Sequence, residues 1–478
     1  MKRPGVAQIV LGAKGQQRTN HESPFCARLL KHAEPWTPRL GPFLVAVRRT
    51  NGGPGRPLAK VSGILGTSLH KRETRPLFFS MTNRFPSEIL KDMRELRATP
   101  RIYRRLVALH LSLFTFHLSL FLAQPALAQI KIGAVSCISG SLSTFGISSI
   151  RGARMAIEEI NAKGGALGQS IELVVDDNGS KAGETARIAR KFLSQDHVVA
   201  ILGDLTSSST MEAAPLAQEA HVPLLTPSAT AVSVTKVGDY VFRSCFTDPF
   251  TGRIMARFAV DHLRARRGVV LTDVKQDYSI GVSAELSSYY RQQGGQVLQE
   301  YSFSSGDTDF RAQLSSLKSL QPDVVFVPAY YTEAALILRE ARQLGIKAEF
   351  VGGEGWDSPS LISVAGKSAD GSYYTDHFSP DDPNRLVQTF VHAYKTKYGA
   401  APDALSALWY DAAGLLADAI RRAGSPDSAK IRDALATTKN FAGVTGNISL
   451  DEQRNASKPG VIVTIANGQV KMVERVEP

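Results

Sequence analysis

From Gln129 onward the chain alternates short apolar runs of strand type with stretches of helical period, joined by short connections. No other feature restricts the fold as much. IKIGAVS (130–136) reads as a buried strand, and a helix over 149–161 follows, stopped at Gly164-Gly165. IELVVDD, a helix over about 181–195, VVAILG, the helix SSTMEAAPLAQEA and VPLLTPS continue the pattern. A second run begins near Phe250. Its strands are GVVLTD (268–273), QVLQEYSF (296–303), DVVFVP (323–328) and AEFVGG (348–353), separated by helices over about 279–293, 308–320 and 332–344. Apolar strands separated by crossover helices build a parallel sheet covered on both faces. Two such runs predict an α/β chain of two doubly wound parallel-sheet lobes, each with ligand-facing loops at the carboxyl ends of its strands.

After Tyr374 the pattern becomes mainly helical, over about 384–398, 404–423 and 427–437, and ends in a hairpin, VIVTIA and QVKMVE around Asn467-Gly468. A helical tail of this kind is expected to return to the first lobe. Lobe 1 is then 129–247 plus about 376–457, and lobe 2 is 248–375 plus about 458–478.

The 128 residues before this pattern are of a different character. Of the 56 Lys and Arg, 21 fall there against 6 Asp and Glu, a net of +15. The remaining 35 Lys and Arg face 38 Asp and Glu, a net of −3, so the overall charge of +12 says nothing of the folded part. An argument for nucleic-acid binding from the basic composition therefore fails. Residues 1–92 are rich in Arg, Pro and Gly without sustained periodicity and are read as an extension outside the fold, with Met93 or Met81 as the expected start. Arg101, Arg104 and Arg105, then LVALHLSLFTFHLSLFLA, then Pro125-Ala126-Leu127-Ala128 read as a cleavable export signal over 93–128. An uncleaved membrane anchor is the rival reading. Three cysteines are too few for a disulfide framework, and Cys137 and Cys245 are read as small buried residues.

Two hydroxyl-rich turns stand out, GDLTSSST (203–210) and LTPSAT (225–230), each after a strand-type run. The first opens a helix, where free N–H groups and the positive end of the dipole suit a small carboxylate. Hydroxyls of Ser207, Ser208 and Thr230 complete the expected cradle. Glu354, in Gly353-Glu354-Gly355-Trp356, is the acid singled out, since flanking glycines would let a ligand approach. Tyr278 and Tyr330 fall with it at the carboxyl ends of three strands of the second lobe. Phe145 offers an apolar wall in the first lobe, and Asp248 before Pro249 reads as a helix cap. Signatures of nucleotide, zinc and serine or cysteine chemistry are missing from the sequence, as is His spacing suited to a metal. The expectation is a binding protein without cofactor or metal.

In order and spacing, IGAVSCISGSLSTFG, INAKGGALG, VVDDN, LGDLTSSSTM, LLTPSATA, DYSIG and VGGEGW make the chain from Ile130 to about Glu474 resemble the branched-chain amino-acid-binding proteins of ABC importers, the leucine/isoleucine/valine-binding family. The resemblance implies two α/β lobes joined by a three-stranded hinge and closing on a ligand (the type I periplasmic binding architecture). It implies an amino-acid carboxylate held by Ser207 and the backbone around Ser228 and Thr230. An ammonium would be held by Thr230 and Glu354, with Tyr278 and Tyr330 closing from the second lobe. Phe145 stands where the family often has Tyr, and Thr206 and Gly179 occupy the places of the family's disulfide. Trp356 is bulky enough to reshape the side-chain pocket. A monomer that captures an α-amino acid in the periplasm and presents it to a membrane permease is the implied function. A ligand-sensing subunit of a signalling system, or a binder of amides, urea or aromatic acids, shares the fold and is the alternative.

Overall fold

The computed structural model describes residues 105, 107–113 and 129–478. The extension over 1–92 and most of the export signal lie outside the described residues. Among those described, no helix is long and apolar enough to cross a membrane.

Sheet I contains β1 (Ile130–Ser136), β2 (Ile171–Asp177), β3 (Ala200–Leu202), β4 (Leu224–Thr226) and β5 (Val241–Arg243), in the order β2-β1-β3-β4-β5 with every pair parallel. Sheet II repeats that order with β6 (Arg267–Asp273), β7 (Gln296–Phe303), β8 (Val324–Val327), β9 (Glu349–Gly352) and β10 (Tyr373–Asp376), running β7-β6-β8-β9-β10. The central strands are continuous apolar runs because helices cover both faces: β3, β4 and β8 are buried at every residue. The edge strands β2 and β7 are only partly covered and carry charged residues.

The helices of the first run are α1 (Ser143–Ala162), α2 (Glu184–Lys191) and α3 (Ser207–Glu219). Those of the second are α4 (Asp248–Asp261), α5 (Asp277–Gln292), α6 (Arg311–Leu320), α7 (Tyr331–Gln343) and α8 (Pro359–Ala365). The expected cap at Asp248 is a correction. Thr247 holds the extended N-cap conformation, and Asp248 is the first helical residue, buried, with Pro249 behind it. Pro at this position costs no hydrogen bond, because first-turn N–H groups have no partner in the helix.

The tail contributes α9 (Arg385–Tyr398), α10 (Ala404–Ala423) and α11 (Ser428–Ala436), a small antiparallel sheet of β11 (Phe441–Gly443), β12 (Gly446–Leu450) and β13 (Ala456–Ser457), then β14 (Gly460–Ala466) and β15 (Gln469–Val476). α10 packs along α1 and against β3 and β4, and is buried over most of its surface. Its apolar residues are spread round the helix, as in a core helix rather than a surface one. Gly152 of α1 lets the two helices touch: a Cβ there would lie 1.9 Å from the Ser406 carbonyl oxygen. β14 pairs antiparallel with β10, and β15 with β14, at the edge of sheet II.

The chain thus passes from one sheet's side to the other three times, between β5 and α4, between β10 and α9, and between β13 and β14. The carboxyl ends of the parallel strands of both sheets face the cleft between. Contacts span that cleft. The Asp277 N–H donates to Ser208 Oγ at 3.1 Å, and the Tyr331 hydroxyl to the Ser141 carbonyl at 2.8 Å. Thr144 Oγ1 and Ser360 Oγ are 3.0 Å apart. The lobes are in contact in this conformation.

Candidate functional site

The cleft holds a cavity between the two sheets. Phe145, Ser207, Ser228, Thr230, Tyr278, Tyr330 and Glu354 line it, so seven of the nine candidate ligand-site residues meet in one place, Ser208 and Trp356 being the exceptions. Each reaches it from the carboxyl end of a parallel strand or from the helix that follows.

On the first-lobe side, Thr206 caps α3, its Oγ1 accepting the Ser209 N–H at 3.2 Å. That cap leaves the N–H groups of Ser207 and Ser208 at the helix start without an intrahelical partner. Ser207 is 1% exposed, and its Oγ accepts the Ala231 N–H at 3.1 Å, which leaves its own proton to donate. The Ser228 hydroxyl is turned aside, donating to the Leu205 carbonyl at 3.0 Å. Ser208 does not join the cradle, because its oxygen accepts the Asp277 N–H across the cleft. Beneath the loop, fully buried Arg243 donates to the carbonyls of Ala229 and Ala231, both at 2.9 Å, and to Asn455 Oδ1 at 3.0 Å. An always-charged fork satisfied by oxygens fixes the shape of this loop.

On the second-lobe side, the rings of Tyr278 and Tyr330 stack 5.4 Å apart at 18°, and Phe145 meets Tyr330 edge-on at 6.1 Å across the cleft. Glu354 opens the short helical turn after β9. Its Oε2 accepts the Thr251 hydroxyl at 3.3 Å, while Oε1 is buried without a hydrogen-bond partner. Burial pushes its pKa up to about 7, against the Thr251, Thr230 and Thr375 hydroxyls, which favour the carboxylate. Asp248 is pushed up to about 8 by burial, and Glu354 adds to the rise. A solitary buried carboxylate oxygen is costly, and a cation beside it removes the cost.

Gly355 lines the cavity, and both glycines beside Glu354 have a further use. A Cβ on Gly353 would lie 2.2 Å from the Tyr278 hydroxyl, and one on Gly355 would lie 2.6 Å from the Ala329 carbonyl oxygen. They make room for the tyrosine wall and the neighbouring backbone. Trp356 is the second correction. It is 1% exposed inside the second lobe, its indole N–H donating to the Val327 carbonyl at 3.0 Å and its ring over Gly352. It does not line the cavity. A turn that closes straight after β9 points this side chain back over the end of β9, where its N–H reaches the end of the neighbouring β8.

Leu205, Asp376, His377, Ala404 and Leu405 also line the cavity, and no local sequence signal points to them. Ala404 and Leu405 open α10, a helix legible from its period, but nothing in that period says that its start faces a cleft. Asp376 ends β10, a strand too short to read, and His377 follows it. His377 stacks on Phe246 at 3.7 Å, and burial lowers its pKa well below the usual value, so the imidazole is neutral. Cys137 and Cys245 are both buried and unpaired. Among the described residues, no group of three or more His, Cys, Asp or Glu is placed to hold a metal ion.

Residues 129–469 match the family model described as periplasmic binding protein. A leucine-, isoleucine-, valine-, threonine- and alanine-binding protein of Pseudomonas aeruginosa is 30% identical over 361 residues, 75% of this chain and 93% of that protein. A leucine-binding protein from Thermotoga maritima superposes with a TM-score of 0.71 at 41% identity, covering 73% of this chain and 99% of that one. A branched-chain amino-acid transporter substrate-binding protein from Streptococcus pneumoniae, solved with isoleucine, superposes with a TM-score of 0.70 at 37% identity, covering 73% of this chain and all of the other. With its doubly wound lobes meeting over one cavity, the chain belongs to the periplasmic binding protein family.

Proposed function

We propose that this protein captures a neutral α-amino acid, branched-chain or otherwise aliphatic, between its lobes and presents it to the membrane permease of an ABC importer. The observation that carries the reading is the unpartnered Oε1 of Glu354 in the same cavity as the free helix start at Ser207. A zwitterion supplies both missing partners: its ammonium answers the carboxylate and its carboxylate answers the N–H groups and the Ser207 hydroxyl. Phe145, Leu205, Leu405 and the faces of Tyr278 and Tyr330 are left to surround an aliphatic side chain. The protein binds without transforming. Residues 129–247 with about 376–457, and 248–375 with about 458–478, are the halves that close. Binding shifts the population toward the shut form, whose surface the permease distinguishes from the open one. The signal over 93–128 would deliver the chain to the periplasm, where it acts as a monomer.

The test is a thermal-shift screen after removal of bound ligand by unfolding and refolding. The panel holds the twenty L-amino acids, urea, short amides and benzoate-type acids. Ligand at 100 times its Kd adds about 2.7 kcal/mol, a rise of several degrees. A response to leucine, isoleucine or valine supports the reading. A response confined to acids or amides overturns the role given to Glu354.

A further inference from the structure

Behind the cavity, two carboxyl groups meet across the cleft. Asp357 follows the helical turn after β9, on the side of sheet II, and Asp403 is the N-cap of α10, packed on sheet I. Asp357 Oδ2 accepts the Ala404 N–H at 2.7 Å, and its Oδ1 accepts the Tyr374 hydroxyl at 3.2 Å. Asp403 Oδ1 accepts the Ser406 N–H at 2.8 Å and the Ser148 hydroxyl. The groups that face the pair are Tyr374 and Asp376 from β10, the N-terminal end of α10, Ser148 from α1 and Tyr394 from α9. Apart from the positive end of α10, these are acids, hydroxyls and backbone N–H groups.

The helix end and the Ala404 N–H welcome one negative charge. A second, enclosed beside the first, is opposed by both desolvation and repulsion. Burial raises both carboxyls above the usual range, and for Asp357 the adjacent Asp403 adds to the rise. When the lobes part, Asp357 leaves with sheet II and Asp403 stays with α10. Asp357 keeps Tyr374 and Asp376 beside it and Asp403 keeps Ser148 and the Ser406 N–H, but the two carboxyls no longer oppose each other across a closed cleft, so the pair ionises more readily than when shut.

We propose that closing the lobes takes up one proton from solvent onto the Asp357–Asp403 pair, so that ligand capture is favoured in a more acidic medium and release in a less acidic one. The inference rests on the clamshell reading of the site, but on no particular amino acid. The sign follows from linkage: the closed form binds the extra proton, so affinity falls as pH rises, by up to tenfold per unit where uptake is one proton. The shift lies between the values of the parted carboxyls and the raised values of the closed pair.

The experiment is calorimetric titration of the whole protein with L-leucine at pH 6.5 in two buffers of different ionisation enthalpy, which counts protons taken up. The variants are Asp403→Asn, which keeps a good cap and both acceptor contacts, and Asp357→Asn. The parent is expected to take up close to one proton more than either variant, and its Kd to weaken with pH more steeply. Equal uptake in parent and variants overturns the proposal even if leucine binds. If leucine does not bind, the functional reading fails separately and the latch is decided on ligand-free protein. Nitroxide labels on cysteines introduced at exposed positions, Lys181→Cys and Ser288→Cys, with the buried Cys137 and Cys245 left in place, report the distance between the lobes. A closed fraction that grows from pH 8 to 5.5 in the parent alone supports the proton latch. The same response in all three proteins, or none in the parent, overturns it.

Discussion

Replacing Glu354 with Gln should separate binding from stability in opposite directions. In the ligand-free cavity the carboxylate is a burden: Oε1 has no partner, and burial raises the group to about 7. The amide has the same shape, carries no charge and can still accept from Thr251. The variant should therefore melt no lower than the parent. Because the folded value lies above the ordinary Glu value of about 4.3, this group's contribution to stability is full below that pH and is lost as pH rises through about 7. Glu354→Gln should flatten that fall. Ligand affinity should drop instead, since the ammonium would lose its buried partner. Breaking such a charge-assisted pair costs roughly 2–5 kcal/mol, a Kd weakened by about 30-fold to several thousandfold. Calorimetric titration with L-leucine, beside melting curves at pH 5 and 8, measures both. A Kd within threefold of the parent would refute the argument that this oxygen waits for a cation.

Three further outcomes follow from the same structure. Trp356→Phe removes one of the two donors to the Val327 carbonyl, which keeps the Ala329 N–H, and thins the second-lobe core, so stability should fall by about 1–3 kcal/mol while affinity stays within threefold; a large affinity change would put Trp356 back on the cavity wall. Gly152→Ala drives a methyl into the Ser406 carbonyl and should lower the melting temperature by at least several degrees, so an unchanged melt would show that α1 and α10 can slide apart freely. Buried Lys458 has its pKa lowered to about 8 by burial, and between that value and the ordinary 10.4 the unfolded chain holds a proton that the folded one lacks. Its contribution to stability therefore increases with pH across that window. Urea unfolding of Lys458→Met at pH 7.5 and 9.5 should show a smaller rise than the parent, and an equal rise would assign the effect elsewhere.

Where apolar period was strong and long, the sequence was readable. The strand QVLQEYSF and the helix over 404–423 stand where the pattern put them, because a parallel strand or a buried helix writes its environment into every residue. β5 and β10 went unread. Each is three or four residues long and contains Arg243 or Asp376, and their pairing within the sheets, not their own residues, makes them strands. Hydroxyls at a helix start and an acid at a strand end are local signals, so Ser207, Thr230 and Glu354 were visible. Trp356 misled because sequence does not say which way a side chain leaves a tight turn. Arg243 was missed for a similar reason: a buried guanidinium is recognisable only once the carbonyls of Ala229 and Ala231 converge on it.

The return of α10 to the first lobe also sets an order of assembly. All five strands of sheet I are complete by Arg243, yet the helix that covers β3 and β4 begins at Ala404, with the whole parallel part of sheet II in between. Closing so long a loop on α1 is entropically slow compared with the local pairings inside residues 248–376. As the chain folds from its N-terminus, the second run can gather its helices and parallel strands while the first still exposes the apolar face meant for α10. The lobe that begins first is finished last. A chain cut before Ala404 would leave that face permanently uncovered, an invitation to aggregation rather than a smaller binding protein.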